Sequence, residues 1–178
     1  MVFGDCTLYL ITDRRLSRGR PTVEVIRAAL AGGVDIIQLR DKEVETAEMV
    51  EDALRVHELT TRANVPLIIN DRVDVALALQ AEGAHVGQTD LPAPMARKLL
   101  TPPHILGVST STAEMARRAH QDGADYIGFG PIYQTTTKVT QASPRGLELL
   151  NTVRQSVPIP LVALGGISQT NIAEVVAA

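Results

Sequence analysis

Polar side chains recur in this 178-residue sequence where short aliphatic runs end. Gln38, Arg40, Asp41 and Lys42 close a run that starts at Asp35, and Asn70 and Asp71 close the run Pro66–Asp71. Gln88 and Asp90 end the next run, and Ser109, Thr110 and Ser111 the one after it. Thr135, Thr136, Thr137 and Lys138 follow a further run, and Gly165 and Gly166 stand near the end of the last. These residue types can share one task, the handling of a diphosphate. Arg40, with its planar fork, and Lys42 and Lys138, as point charges, can neutralise phosphoryl oxygens. Asp71 and Asp90 are hard oxygen donors without a neighbouring His or Cys. Such a set suits Mg2+, which takes one or two carboxylates plus waters and substrate phosphates. Thr and Ser hydroxyls beside glycine N–H groups suit a second phosphate, held in a loop that leads into a helix.

Plainer readings stand beside these. A lone Asp at a strand end serves as readily as an N-cap or turn residue, and Asp13 and Asp41 taken singly are read that way. Asp71 and Asp90 gain weight jointly, with Asn70 next to them. His57 and His120 fall in helical patterns and His104 begins a strand. His85 is expected to begin the fourth strand, at the end away from the chemistry, in a structural role. None of the four has the spacing of a metal site or of a Ser–His–Asp triad. No Walker loop or G-x-G-x-x-G is present, since Gly128-Phe129-Gly130 runs straight into Pro131.

The elements that must position these side chains alternate. Seven runs rich in β-branched residues read as buried parallel strands: Thr7–Asp13, Asp35–Asp41, Pro66–Asp71, Ala84–Gln88, His104–Ser109, Tyr126–Ile132 and Pro160–Ile167. Thr22–Ala31, Glu45–Ala63, Ala113–Gln121 and Leu147–Ser156 carry apolar residues at helical spacing. Strand then helix, repeated, implies right-handed crossovers and a parallel sheet or barrel with helices outside. In such folds chemistry sits at the carboxyl ends of the strands, where the polar residues gather. Gly33, Gly83 and Gly123 end three similar helix-to-strand passages, and each is expected to supply a left-handed helix cap.

Composition narrows the function classes. Hydrophobic residues make up 45% and charged residues 21%, an ordinary globular balance that argues against disorder. With two Phe, three Tyr and no Trp, the core must be aliphatic and base-stacking on aromatic platforms is disfavoured. The net charge of −3, without a basic stripe, speaks against a nucleic-acid partner. The single cysteine, Cys6, excludes an internal disulfide and reads as a small buried hydrophobe. With neither a signal-peptide pattern nor a stretch of membrane-spanning length, a single soluble cytoplasmic domain over 1–178 is expected.

The motifs resemble those of the thiamine phosphate synthases. The matching stretches are QLRDK (Gln38–Lys42), INDRVDVAL (Ile69–Leu77), HVGQTDLP (His85–Pro92), GVS (Gly107–Ser109), GFGPIYQTTTK (Gly128–Lys138) and ALGGI (Ala163–Ile167), in the family's order. The resemblance implies a TIM-barrel, (β/α)8-type transferase. It would join hydroxymethylpyrimidine diphosphate to a thiazole phosphate, giving thiamine phosphate and pyrophosphate. By motif, Gln38, Leu39, Arg40, Asp41, Lys42, Asn70, Ser109 and Lys138 would bind the pyrimidine diphosphate. Among them Arg40, Lys42, Lys138 and Ser109 would be catalytic. Asp71 and Asp90 would hold Mg2+, and Thr135, Thr136, Thr137 and Gly166 the thiazole phosphate. The implied partners are small molecules, with no nucleic acid and no membrane, and a homodimer is compatible with them.

The chemistry agrees with that division. Pyrophosphate is the leaving group, so cations are needed where charge grows as the C–O bond breaks. The thiazole nitrogen is already a nucleophile, so no general base is required. A sister group, the TenI-type thiazole tautomerases, uses a histidine two positions beyond the serine after strand 5, where this sequence has Ser111. The loop Gly130–Lys138 that those enzymes tend to lose is intact, which favours the synthase. Seven βα units account for the sequence, so the eighth of a full barrel is expected to be missing at the C-terminal side. That expectation keeps one further reading open, a non-catalytic barrel remnant that binds a phosphorylated ligand.

Overall fold

A computed structural model of the chain describes residues 8–135 and 143–178. Seven strands form one parallel sheet in which each pairs with the next in sequence: β1 Tyr9–Ile11, β2 Ile36–Leu39, β3 Leu67–Asn70, β4 Gly83–Val86, β5 Ile105–Thr110, β6 Tyr126–Phe129 and β7 Leu161–Ala163. Helices fill the crossovers: α1 Thr22–Ala31, α2 Thr46–Ala63, α3 Val73–Leu79, α4 Ala93–Leu99, α5 Ala113–Gln121, α6 Gly146–Ser156 and α7 Ile172–Ala177. The architecture is a nearly closed, TIM-like barrel. Among the described residues β1 and β7 are its two edges, half-buried throughout, whereas β2, β4 and β6 are buried at every position.

Each strand run read from the sequence contains or overlaps one observed strand. The two short helices α3 and α4 were not among the patterns singled out, because seven residues span only two helical turns.

Two apolar layers follow from the strand alternation. Outward residues such as Ile37, Leu39, Ile69, Leu106 and Ile127 pack under the helices. Ile26 of α1, Met49, Ala53 and Val56 of α2, and Leu150 and Val153 of α6 bury against them, at the three- and four-residue spacing of a helix face. Inward residues Ile36, Ile68, Ile105 and Tyr126 form a smaller core within the barrel, joined by Tyr9 and Val162.

The glycine caps divide. Gly33 and Gly123 have positive φ, as a helix terminus requires. Gly83 does not: α3 ends earlier, with Gln80 in the left-handed conformation, and Gly83 lies inside β4. A side chain at Gly83 would collide with the backbone of Ile105, so close strand packing is its reason.

Candidate active site

The register of the parallel strands brings their polar ends together. Ile11 pairs with Gln38, Gln38 with Ile68, Asn70 with His85, and Ser109 with Gly128. Gln38 points inward and is buried, its Nε2 donating to the Tyr9 hydroxyl at 2.9 Å. Leu39, next along, faces outward into the helix layer. The structure therefore does not bring the Leu39 side chain into the group expected to touch the diphosphate.

Arg40 is held from two sides. Its backbone N–H donates to Thr12 Oγ1 at 2.9 Å, and its Nη1 donates to Asp13 Oδ2 at 2.6 Å. Asp13 does cap a turn, accepting from the Arg15 N–H, but it also buries its carboxylate against Arg40 and Arg15. Hydrogen bonding from Arg15 holds the Asp13 carboxyl below the ordinary carboxylate range, with the charge of Arg40 adding to it. Asp41 accepts from Arg14 Nε at 2.8 Å, and Arg14 also reaches Glu48 and Asp52. Residues 13–15 and 40–43 line a cavity of about 340 Å³. Asp13 is thus more than a turn residue. Its ion-pair partner lies 27 positions away, a separation that leaves no periodic signal.

Lys42 links that cavity to the carboxylates. Its Nζ stands 2.8 Å from Asp71 Oδ2. Asp71 takes a left-handed backbone, φ 63°, which Asp and Asn tolerate better than other non-glycine residues. Its N–H donates to the His85 carbonyl at 2.8 Å. Asp90 accepts from the Gly87 N–H at 2.7 Å, closing the turn after β4. Burial, and then the hydrogen-bonded Asp71 beside it, raise the Asp90 carboxyl above its ordinary range. Asp71 and Asp90 thus form one acidic pair. Among the described residues no third His, Cys, Asp or Glu joins them as a metal cluster. Two carboxylates, with the other ligand positions left to water and phosphate oxygens, match the donor set Mg2+ accepts, so the pair fits that ion.

Ser109 ends the inward face of β5. Its carbonyl accepts from Gln88 Nε2 at 2.6 Å and its Oγ lies 2.9 Å from His85 Nε2. This corrects the expectation for His85. The histidine is the third residue of β4 rather than its start, and points into the barrel toward Ser109 rather than away from the chemistry. Its Nδ1 meets the Tyr126 hydroxyl at 2.9 Å. Ser111 lies in the loop beyond, its Oγ against Met115 Sδ at 3.3 Å.

The loops after β6 and β7 touch. Gly166, at φ 68°, lies so close to Gln134 and Tyr133 that a side chain would not fit, and its carbonyl accepts from Asn171 Nδ2 at 3.0 Å. Thr135 is half-buried nearby in sequence to that contact. Thr136, Thr137 and Lys138 lie outside the described residues, as does Cys6. No helix among the described residues is long and apolar enough to cross a membrane.

A family model described as thiamine monophosphate synthase matches residues 8–178. The thiamine-phosphate synthase of Chloroflexus aurantiacus is 52% identical over 174 residues, 98% of this chain and 80% of its own length. That of Moorella thermoacetica is 52% identical over 171 residues, 96% of this chain and 81% of its own length. The solved thiamine phosphate pyrophosphorylase of Pyrococcus furiosus superposes with a TM-score of 0.85 at 42% identity, covering 96% of this chain and 80% of that one. A nitroalkane oxidase of Streptomyces ansochromogenes, at 19% identity and a TM-score of 0.67, shares the fold alone.

Proposed function

The chain belongs to the thiamine monophosphate synthase family and its activity is that of a thiamine-phosphate synthase; we propose the following division of work among its residues. The reaction moves the hydroxymethylpyrimidine group from its diphosphate to the nitrogen of a thiazole phosphate. A C–O bond breaks, a C–N bond forms, and pyrophosphate leaves with the electron pair of the broken bond.

Arg40 and Lys42 receive the diphosphate. Arg40 is pre-oriented by Asp13, so little rotamer freedom is lost when its remaining N–H groups bind oxygen. Asp71 and Asp90 would hold Mg2+, which when bound supplies positive charge to the departing pyrophosphate. Asn70, Gln38 and Ser109 line the pyrimidine end, with Asp41 setting the position of Arg14 at the rim. Thr135, Thr136, Thr137 and Gly166 receive the thiazole phosphate, and Lys138 meets the leaving pyrophosphate. The protein moves no proton in this scheme, and its catalysis is charge stabilisation and alignment of two bound substrates. Both substrates are multiply charged phosphates that do not cross a bilayer unaided, so we place the enzyme in the cytoplasm, where such esters are made.

One observation carries the reading: Lys42 belongs both to the Arg40 cavity and to the Asp71–Asp90 pair. Cation and carboxylate are joined where a metal-bound diphosphate needs both. The test is product formation, followed by mass spectrometry with both substrates and Mg2+. Asp90→Ala and Asp71→Asn should lose Mg2+-dependent turnover while keeping the wild-type circular dichroism spectrum. Asn is chosen at position 71 because alanine is strained at that φ. Unchanged turnover in either variant removes the metal assignment.

A further inference from the structure

A line of hydrogen bonds crosses the inside of the barrel. Gln38 Nε2 donates to the Tyr9 hydroxyl at 2.9 Å. The Tyr9 and Tyr126 hydroxyls are 2.7 Å apart. Tyr126 meets His85 Nδ1 at 2.9 Å, and His85 Nε2 meets Ser109 Oγ at 2.9 Å. Five residues from five strands, β2, β1, β6, β4 and β5, are joined in series. The first, Gln38, and the last, Ser109, belong to the substrate site proposed above; the three between them have no part in it.

The barrel makes room for this line. Gly107 and Gly128 occupy inward positions on β5 and β6, both close to the His85 ring. A Cβ at Gly107 would overlap both the Tyr126 hydroxyl and His85 Nδ1. A Cβ at Gly128 would lie 3.1 Å from His85 Cε1. Small residues at these two places are the condition for an imidazole and a phenol to meet inside the barrel.

Such a line has two possible polarities. Each phenol has one proton to give and an oxygen that accepts, and the neutral imidazole has one N–H donor and one acceptor nitrogen. If every bond runs one way, each oxygen and the ring both donate and accept, and neighbouring bonds strengthen one another. The Gln38 amide nitrogen at the inner end only donates, and with Tyr9 accepting there, the polarity that runs outward to Ser109 is the one in which every member of the line both accepts and donates.

We propose that Gln38, Tyr9, Tyr126 and His85 form a polarised positioning relay, which fixes His85 as its Nε2–H tautomer and makes Ser109 Oγ an acceptor from it. The Ser109 proton is then directed away from the histidine, toward an acceptor atom of the pyrimidine diphosphate. With the opposite polarity Ser109 would spend that proton on His85 Nε2. Tyr9, Tyr126 and His85 act through Ser109 and are positioning residues. The inference rests on the reading of Ser109 as a substrate contact.

The test begins on the unmodified protein. Nitrogen-15 NMR on histidine-labelled enzyme, with His85→Gln used to assign the signal, reads which ring nitrogen carries the proton. An Nε2–H imidazole with a hydrogen-bonded, unprotonated Nδ1 is expected. An Nδ1–H tautomer overturns the relay, whether or not any variant folds. Tyr126→Phe removes the donor to Nδ1. It should lower kcat about tenfold while each KM changes less than about twofold, since the loss is one of alignment in the transition state. A folded Tyr126→Phe enzyme with wild-type kcat also overturns the proposal. Ser109→Ala separates the premise from the inference. Wild-type turnover in Ser109→Ala rejects the substrate contact itself, and the relay loses its purpose with it. Lost turnover in Ser109→Ala together with an Nδ1–H histidine rejects the relay alone.

Discussion

Lys42 Nζ and Asp71 Oδ2 are 2.8 Å apart, so the cation proposed for the diphosphate rests on a carboxylate proposed for the metal. A divalent ion arriving at Asp71 would compete with that ammonium and release it toward the phosphates. Lys42 is about half exposed, so the contest is modest in free energy. Lys42→Met should therefore bind Mn2+, a spectroscopic substitute, about three- to fivefold more tightly in the absence of substrate, while turnover falls. Electron paramagnetic titration of free Mn2+ checks the first part. Weaker metal binding in the variant would contradict a shared Asp71.

Asp13 orients Arg40 from a bond of 2.6 Å. Asp13→Asn keeps the turn cap but loses the charge that anchors the guanidinium. Its KM for the pyrimidine diphosphate should rise about three- to tenfold, with kcat changed less. The acid stability of the two proteins should differ as well. The Asp13 carboxyl is held below its ordinary value, so its ionised form favours the folded state. That contribution is complete above the unfolded value of 3.8 and is lost as pH falls through the lower folded value. The wild-type excess in Tm over Asp13→Asn should thus shrink below about pH 4. An excess that grows in acid would reverse the assigned sign.

Seven strands and most of the polar strand ends were legible because both have short-range signatures. β-branched runs bounded by Gly, Pro or Asp report strands, and polar residues just beyond them report the open end of the barrel. What the sequence hid was facing. In β4 all four residues are buried, so nothing in their polarity tells that His85 looks into the barrel while Ala84 and Val86 look out. The Tyr9–Tyr126 contact joins residues 117 positions apart and depends on the barrel curling round. Gly83 was misread because Ala81-Glu82-Gly83-Ala84 imitates the helix-ending glycines, whereas its constraint is the neighbouring strand. Leu39 was grouped with Gln38 and Arg40 by motif, although alternation alone turns it outward.

Gly107→Ala tests the internal layer by packing. The added methyl has no space between Tyr126 and His85, so one of them must shift and their hydrogen bond must lengthen or break. Overpacking of this kind costs about 1–3 kcal/mol. A fall in stability of that size by urea titration is expected. It should be accompanied by a change in the His85 nitrogen-15 shifts, which a purely remote strain would leave alone. Gly128→Ala meets a looser contact and should cost less. Equal costs at the two positions would argue that the strain lies elsewhere.

Asp90 gives the opposite pH signature from Asp13. Burial and the adjoining Asp71 raise its carboxyl, so the protonated form favours the folded protein. Its contribution is present in acid and is lost as pH rises from the unfolded value of 3.8 through the raised folded value. At neutral pH without metal the charged pair is therefore a burden on stability, one that a bound cation relieves. Asp90→Asn removes the repulsion and can keep the bond to the Gly87 N–H through its amide oxygen. In chelator the variant should melt above the wild type near neutral pH, with the gap closing toward about pH 4. Mg2+ at about a hundredfold its dissociation constant adds about 2.7 kcal/mol to a protein that binds it. The wild type should gain that increment and Asp90→Asn should not, so the order of their melting temperatures should invert when chelator is replaced by saturating Mg2+. If the variant instead melts below the wild type in chelator at neutral pH, Asp90 is a structural carboxylate and the acidic pair is not poised for a cation.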